Sequence, residues 1–246
     1  MSRFHVRAEA VTGTQVRLDA AETHHLSRVL RLGEGDIVRA LDGAGYELTV
    51  RLTRISPRAA EGIVIERVVR PVESPLDLTL AQAIPKGDKL ERIIRMATEL
   101  GVSRISPLVT ERTIARGEAA DWAHRLARCE RVAREAAKQS GRAVVPAVDP
   151  PRDLAAWLTA VDPAARLLCL SAGERTGMGQ VLSMRPDRLA VIVGPEGGLT
   201  SAELDQIRAR GGLVAGLGPR ILRADTAGPA VVALLQARYG DLDPAP

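Results

Sequence analysis

Traced by its apolar positions, the chain changes rhythm about seventy residues in. Before that point the pattern alternates over short stretches. Gln15-Val16-Arg17-Leu18-Asp19 and Ile37-Val38-Arg39-Ala40-Leu41 do so, as do residues 46–52, beyond the turn Asp42-Gly43-Ala44-Gly45, and residues 61–69. A period of two bounded by turn residues predicts half-buried strands. One helix interrupts them, with Thr23 as the expected N-cap, Leu26, Val29 and Leu30 as its apolar face, and Gly33 just past its end. Strands this short usually close into a small barrel. Pro71-Val72-Glu73-Ser74-Pro75 reads as a linker, so the expected division is 1–72 and 73–246.

Beyond the linker, strand and helix patterns alternate. Residues 78–83 predict a strand, and 88–100 a helix with Leu90, Ile93, Ile94, Ala97 and Leu100 on one face and Gly101 as its cap. Residues 104–109 predict a second strand. Trp122, Leu126, Cys129, Ala133 and Ala136 mark a long helix ending near Gly141. Further apolar runs occupy 166–170, 189–193 and 213–217. Thr200-Ser201-Ala202-Glu203 opens a helix with a capping-box pattern. The last helix is expected over 226–239, with Pro229 in its first turn. This alternation means a parallel sheet covered by helices, an α/β fold.

Composition narrows the function. Hydrophobic residues are 46% and charged residues 26% of the 246, an ordinary globular balance. No apolar run approaches the roughly 18 residues that span a bilayer. The start, Met1-Ser2-Arg3-Phe4-His5-Val6, lacks the apolar core of a signal peptide, so a soluble cytoplasmic protein without a membrane partner is expected. Cys129 and Cys169 have no close Cys or His neighbours, which points to buried thiols and no metal. A net charge of +4 suits a polyanionic partner. The basic residues are nearly all arginine, a preference that a GC-rich genome explains at least as well as phosphate recognition. Aromatics are 2% of the chain, too few for a binder that works by stacking bases. Arg125, Arg128, Arg131 and Arg134, with Glu130 and Glu135 among them, read as a solvated helix face, and His24 and His25 as solvated helix positions.

Two strand-to-helix loops stand out as sites for chemistry. The run 189–193 leads into Gly194-Pro195-Glu196-Gly197-Gly198, and 213–217 into Gly218-Pro219-Arg220-Ile221-Leu222-Arg223. Ligands of open α/β sheets sit beyond the carboxyl ends of strands, where glycines let backbone approach a ligand closely. Turns at such places need glycine in any case. Gly216-Leu217-Gly218 lacks the third glycine of a dinucleotide fingerprint, since position 221 is isoleucine, and no Walker-type loop occurs.

Ile192-Val193-Gly194-Pro195-Glu196-Gly197-Gly198 followed by Leu217-Gly218-Pro219-Arg220-Ile221-Leu222-Arg223 resembles the paired signature of the 16S ribosomal RNA uridine-N3 methyltransferases, of the knotted SPOUT superfamily. Ile84-Pro85-Lys86-Gly87-Asp88, Thr98-Glu99-Leu100-Gly101-Val102, Thr110-Glu111-Arg112 and Gln139-Ser140-Gly141-Arg142 resemble other stretches of its catalytic domain. Arg28-Val29-Leu30-Arg31 and Gly35-Asp36 resemble its PUA-like N-terminal barrel. The resemblance spans nearly the whole chain. It implies a parallel α/β sheet with a C-terminal trefoil knot, preceded by a PUA-like RNA-binding barrel, working as a homodimer on 16S rRNA in the small ribosomal subunit. S-adenosyl-L-methionine is then expected in the knot, held by Leu170, Gly194, Glu196, Gly197, Leu217, Gly218, Ile221 and Leu222. RNA contacts are expected from Arg28, Arg31, Lys86, Arg112 and Arg142. Where the family has a threonine-glutamate-threonine run, this chain has Ala224-Asp225-Thr226.

Uridine N3 carries a proton at neutral pH, so methylation requires a group that takes it or that stabilises the anion left behind. Arg223 is the first candidate for the anion, with a salt bridge inside its loop as the alternative. Glu196 is expected either to accept the proton or cofactor hydrogen bonds, or to brace its loop. Two other function classes stay open: a related enzyme acting on transfer RNA or another rRNA site, and a non-enzymatic RNA-binding assembly protein.

Overall fold

The structure, a computed structural model, describes residues 3–70, 72–114, 119–181 and 185–243, so Pro71 of the expected linker lies outside the described residues. The chain forms two compact units, Met1–Glu73 with Arg134–Val145, and Ser74–Ala133 with Pro146–Pro246. The sequence suggests a single cut at 72/73; the structure adds a mid-chain stretch to the first unit. That stretch is bonded into the first unit's turns. The Gly45 N–H donates to Ala143 O at 3.1 Å, and Arg70 Nε to Gly141 O at 2.7 Å.

The first unit is a six-stranded sheet of β1 (Arg3–His5), β2 (Val11–Thr12), β3 (Gln15–Leu18), β4 (Ile37–Leu41), β5 (Tyr46–Ile55) and β6 (Ala60–Val69), ordered β1-β4-β5-β6-β3-β2. β1 runs parallel to β4, and the other neighbours are antiparallel. Alternation sends Val16, Leu18, Val38, Ala40, Leu48, Val50 and Leu52 inward. Phe4 from one edge strand and Val11 from the other share this core, so the sheet curls around it.

Helix α1 (Ala20–His24) starts earlier than expected. Asp19, not Thr23, is the N-cap, its carboxylate accepting the Glu22 N–H at 3.0 Å, and Thr23 is buried inside the helix. A π-helical turn over His25–Val29 follows, with the Leu30 N–H on His25 O at 3.1 Å. The wider turn rotates the apolar face, so Leu26 is buried while Val29 is exposed. The turn ends at Arg31, a non-glycine residue at φ 56°, two positions before Gly33.

The second unit is a parallel sheet of β7 (Asp77–Ala83), β8 (Arg104–Val109), β9 (Ala147–Val148), β10 (Arg152–Asp153), β11 (Arg166–Leu170), β12 (Arg188–Val193) and β13 (Leu213–Ala215). Its order is β10-β8-β7-β12-β11-β13, with β9 also on β8. The helices are α2 (Lys89–Glu99), α3 (Ala119–Ser140, of which the part from Arg134 belongs to the first unit), α4 (Leu154–Ala160), α5 (Met178–Val181), α6 (Ser201–Ala209) and α7 (Ala224–Tyr239). Residues 189–193 are all buried, as expected of a strand covered on both faces. Leu154, Trp157 and Leu158 of α4 and Ile207 of α6 pack on Cys169 and Ile192. Burial pushes the Cys129 thiol up to about 11 and the Cys169 thiol up to about 12, so neither is reactive near neutral pH.

The predicted strands at 104–109 and 166–170 match residue for residue, and the capping box of α6 is formed. Helix α7 begins two residues before its expected start, which moves Pro229 from the first turn into the second. There its ring removes the N–H that would bond the Asp225 carbonyl. Among the described residues no helix is long and apolar enough to cross a membrane.

Candidate functional site

β12, β11 and β13 are neighbours, and Leu170 lies in register with both Val193 and Ala215. Because all three run the same way, the segments that follow them leave from one edge of the sheet, where ligands of such sheets bind. Leu170, Gly194, Glu196, Gly197, Leu217, Gly218, Ile221 and Leu222 therefore share one rim. β7 flanks β12, with Gln82 beside Val193, so the Ile84-Pro85-Lys86-Gly87 segment emerges next to them.

The segments are tied together. The Ser171 N–H donates to Ala215 O at 3.0 Å and the Gly216 N–H to Thr176 O at 2.9 Å. A Cβ on Gly216 would collide with the Glu174 carbonyl oxygen, backbone that cannot swing aside. A Cβ on Gly197 would meet only the flexible stem of Arg112, at 3.3 Å from its Cδ. The glycine that close approach truly requires is Gly216, one position outside the motif from which cofactor residues were expected.

Glu196 is held in place. Its Oε1 accepts the Lys86 N–H at 3.2 Å and the Lys89 ammonium at 3.1 Å. Burial pushes its carboxyl up, but bonds from its own N–H, Lys89 and Lys86 outweigh that and hold it below its ordinary value. A carboxylate so held stays ionised and is a poor proton acceptor; the arrangement is a brace. Arg112 Nη1 donates to Gly197 O at 2.6 Å, and the Glu111 N–H to Glu203 Oε1 at 2.8 Å, so the segment after β8 is fastened to the same loop.

Arg223 is the N-cap residue of α7, but only its backbone caps. Its carbonyl accepts the N–H groups of Thr226 and Ala227 at 2.9 and 2.8 Å. The side chain is exposed and, among the described residues, has no ion-pair partner. Asp225 is not its partner, since Asp225 Oδ1 is buried with no hydrogen bond at all. Ile221, between the two arginines of the loop, is 86% exposed.

The expected RNA-binding residues divide. Arg28, Arg31 and Lys86 have exposed side chains, and Arg112 reaches Gly197. Arg142 does not fit the expectation. It is 6% exposed, and its Nε and Nη2 bind Glu73 Oε2 at 3.0 and 2.7 Å while the other Glu73 oxygen accepts from Ala143 and Val144. Its guanidinium is taken up in holding its own turn. Sequence reasoning missed Gly216, Lys89 and the orphan oxygen of Asp225. Lys89 lies three residues from Lys86, near the motif, and Asp225 stands where the chain departs from the family's pattern, whereas the need for glycine at 216 had no signal short of the fold.

Residues 72–236 match the RNA methyltransferase domain family, and residues 18–65 the RNA methyltransferase PUA domain family. A Synechocystis relative named ribosomal RNA small subunit methyltransferase E is 36% identical over 239 residues, 96% of this chain and 77% of that protein. A Bacillus subtilis relative of the same name is 34% identical, over 84% of this chain and 83% of its own. The crystal structure of a Neisseria gonorrhoeae protein of that name, bound to S-adenosyl methionine, superposes with a TM-score of 0.88 at 34% identity, covering 98% of this chain and 99% of that one. A Legionella pneumophila structure, likewise in complex with that cofactor, gives 0.86 at 29% identity, covering 98% of each chain. The chain belongs to the ribosomal RNA small subunit methyltransferase E family, with an RNA methyltransferase domain preceded by a PUA domain.

Proposed function

We propose that this chain transfers the methyl group of S-adenosyl-L-methionine to N3 of a specific uridine in 16S rRNA of the small ribosomal subunit, in the cytoplasm. The observation that carries this reading is the rim of β12, β11 and β13. There an exposed guanidinium without a carboxylate partner lies two residues from a buried carboxylate oxygen without a hydrogen bond. A buried polar atom left unpaired, as Asp225 Oδ1 is, needs an explanation, and a ligand supplies one.

The residues fit the cofactor. Leu170, Leu217, Ile221 and Leu222 offer apolar surface to its adenine, and the backbone at Gly194, Gly197 and Gly218 offers close approach. The orphan Asp225 oxygen suits its cationic end. When bound, the cofactor supplies an electrophilic methyl carbon on a positively charged sulfur. The rest falls to the chain. Arg223 binds the uracil ring oxygens, on which charge gathers as N3 gives up its proton to solvent water. Glu196, kept ionised by Lys86 and Lys89, fixes the loop that faces the cofactor.

The C-terminal stretch is read as the trefoil knot of the SPOUT enzymes, and the working form as a homodimer packed through it. Ala227, Ala230, Leu234 and Ala237 support the dimer, forming a partly exposed apolar stripe along α7. Sedimentation at micromolar concentration should find twice 26.3 kDa; only the 26.3 kDa species would contradict the dimer.

The reaction is tested by methyl transfer from labelled cofactor to small-subunit particles, followed by identification of the labelled nucleoside. N3-methyluridine is expected. Label on another nucleoside, or on transfer RNA, overturns the target. Absence of both transfer and S-adenosylhomocysteine binding leaves an assembly protein.

A further inference from the structure

Among the described residues, the buried carboxylates of the first unit pair one to one with cations, with a single exception. Lys138 meets Glu22 at 2.7 and 2.8 Å, and Arg142 meets Glu73. At Glu47 three arginines converge on one carboxylate. Arg39 Nη1 lies 2.7 Å from Oε1, and Arg70 Nη1 and Arg3 Nε lie 2.9 and 3.3 Å from Oε2.

The sequence explains how this cluster arises. Leu48 and Val50 point into the core, so Glu47 and Thr49 belong to the outer face of β5, where a glutamate is ordinarily solvated. Glu47 is nevertheless only 6% exposed, because the guanidiniums lie over it. Arg3 and Arg39 are direct partners in the parallel pairing of β1 with β4, which sets them on neighbouring strands about 4.8 Å apart. Arg70 closes the group from the far end of β6 and also donates to Gly141 O. Other charges on this face are Arg51, and Glu66, which accepts from Thr49 at 3.1 Å.

Three cations around one anion leave an excess of two positive charges. A guanidinium has five N–H donors. The bonds within the unit use one from Arg3, one from Arg39 and two from Arg70. Arg3 and Arg39 keep 35% and 46% of their side chains exposed, against 22% for Arg70. The buried carboxylate thus fixes the forks of two arginines side by side, each still partly exposed. Like-charge crowding of this kind is relieved by a second anion with oxygens spaced for adjacent forks, and a phosphate has that shape.

We propose that Arg3 and Arg39, preorganised by Glu47 with Arg70 behind them, form a phosphate clamp that grips the backbone of the RNA substrate. This rests on the reading of the chain as an rRNA methyltransferase and assigns RNA-contacting residues that the sequence motifs did not contain. The clamp carries no base readout. It sets how the RNA is held, and its strength falls with salt.

The test uses the full chain and small-subunit particles stripped of the methyl mark, with binding measured across a series of salt concentrations. Replacing both clamp residues (Arg3→Gln with Arg39→Gln) should weaken binding about tenfold near physiological salt. It should also flatten the slope of log affinity against log salt by about 1 to 2, the share of one or two phosphates. The double lysine variant should restore the slope, because a point charge still binds phosphate, but only part of the affinity, because an ammonium lacks the planar fork. Retained S-adenosylhomocysteine binding and a cooperative melting transition above the assay temperature verify that the glutamine variant is folded, and a flattened slope in that folded variant supports the clamp whatever its melting temperature. Wild-type affinity and slope in that variant overturn the clamp, as does a lowered melting temperature with an unchanged slope, which marks a purely structural cluster. A wild-type chain that binds the particles but methylates another nucleoside leaves the clamp standing and overturns the target alone. A wild-type chain with no affinity for the particles overturns both.

Discussion

The two ends of the parallel sheet in the second unit carry similar residues in opposite states. At the N-terminal ends of the strands, Arg188 pairs with Asp162 and lies 3.6 Å from Asp77, whose other oxygen accepts the Ser103 hydroxyl. Arg104 and Ser106 both bind Asp149, at 2.5 and 2.6 Å. Asp77, Arg104, Ser106, Asp149, Asp162 and Arg188 line a cavity of about 440 Å³. At the C-terminal ends, Arg223 is exposed and unpaired, and Asp225 Oδ1 is buried and unbonded. The N-terminal end carries a cavity whose lining charges, Arg152 apart, are paired with one another. The other end carries groups that the fold leaves without partners.

The largest effect that sharpens the contrast is expected at Gly216. Gly216→Val drives a side chain into the Glu174 carbonyl and pushes two of the three rim segments apart. S-adenosylhomocysteine affinity should fall at least about a thousandfold, about 4 kcal/mol, by calorimetry. Affinity within tenfold of wild type would mean that the cofactor does not depend on that approach. Gly197→Val should cost less, because Arg112 can move.

The second prediction asks whether an orphan atom alone marks function, using His5 in the first unit, whose Nε2 is also buried and unbonded. Burial, then the charges of Arg134 and Lys138, lower its pKa to about 4, against smaller opposing contributions from Asp19 and Asp42. The folded state thus keeps His5 neutral while the unfolded chain takes up a proton near 6.5. Stability from this residue is complete above about pH 6.5 and is lost as pH falls toward 4, by about 3 kcal/mol. His5→Gln should flatten that part of the denaturation profile. An equally steep profile in the variant would assign the pH dependence to other groups. The burial of an uncharged ring accounts for His5, whereas the orphan atom at the rim belongs to a carboxylate.

The smallest effect is expected at the paired end. Arg188→Ala should change stability by no more than about 0.5 kcal/mol, because its partners are exposed, and should leave methyl transfer within twofold of wild type. A tenfold loss of transfer would show that the N-terminal cavity takes part in the reaction.

Much of this fold was legible in the chain, for identifiable reasons. The strands at 104–109 and 166–170 and the capping box at Thr200 are set by local pattern, and local pattern is what a sequence displays. The start of α1 was misplaced because Asp19 and Thr23 are both capable caps, and packing chose between them. Val29 was misassigned because a π turn shifts the helical period, which no periodicity count anticipates. Helix α4 went unassigned although Leu154, Trp157 and Leu158 have helical spacing; seven residues are too few for a period to stand out. In the site, the glycine loops were visible as motifs. The bracing of Glu196 by Lys89 and the burial of Arg142 against Glu73 depend on contacts across 107 and 69 positions, which only the folded chain brings together.

The central claim is that the unpaired guanidinium at the rim serves the transition state, and single-turnover methyl transfer by Arg223→Ala at saturating cofactor and RNA tests it most directly. If Arg223 stabilises charge that develops on the uracil ring, the rate should fall about a hundredfold to a thousandfold, roughly 2.7–4 kcal/mol, while S-adenosylhomocysteine affinity changes little. Arg223→Lys should recover only part of the rate, because an ammonium cannot reproduce the planar fork. A single-turnover rate equal to wild type at saturation would contradict the account and remove Arg223 from the chemistry.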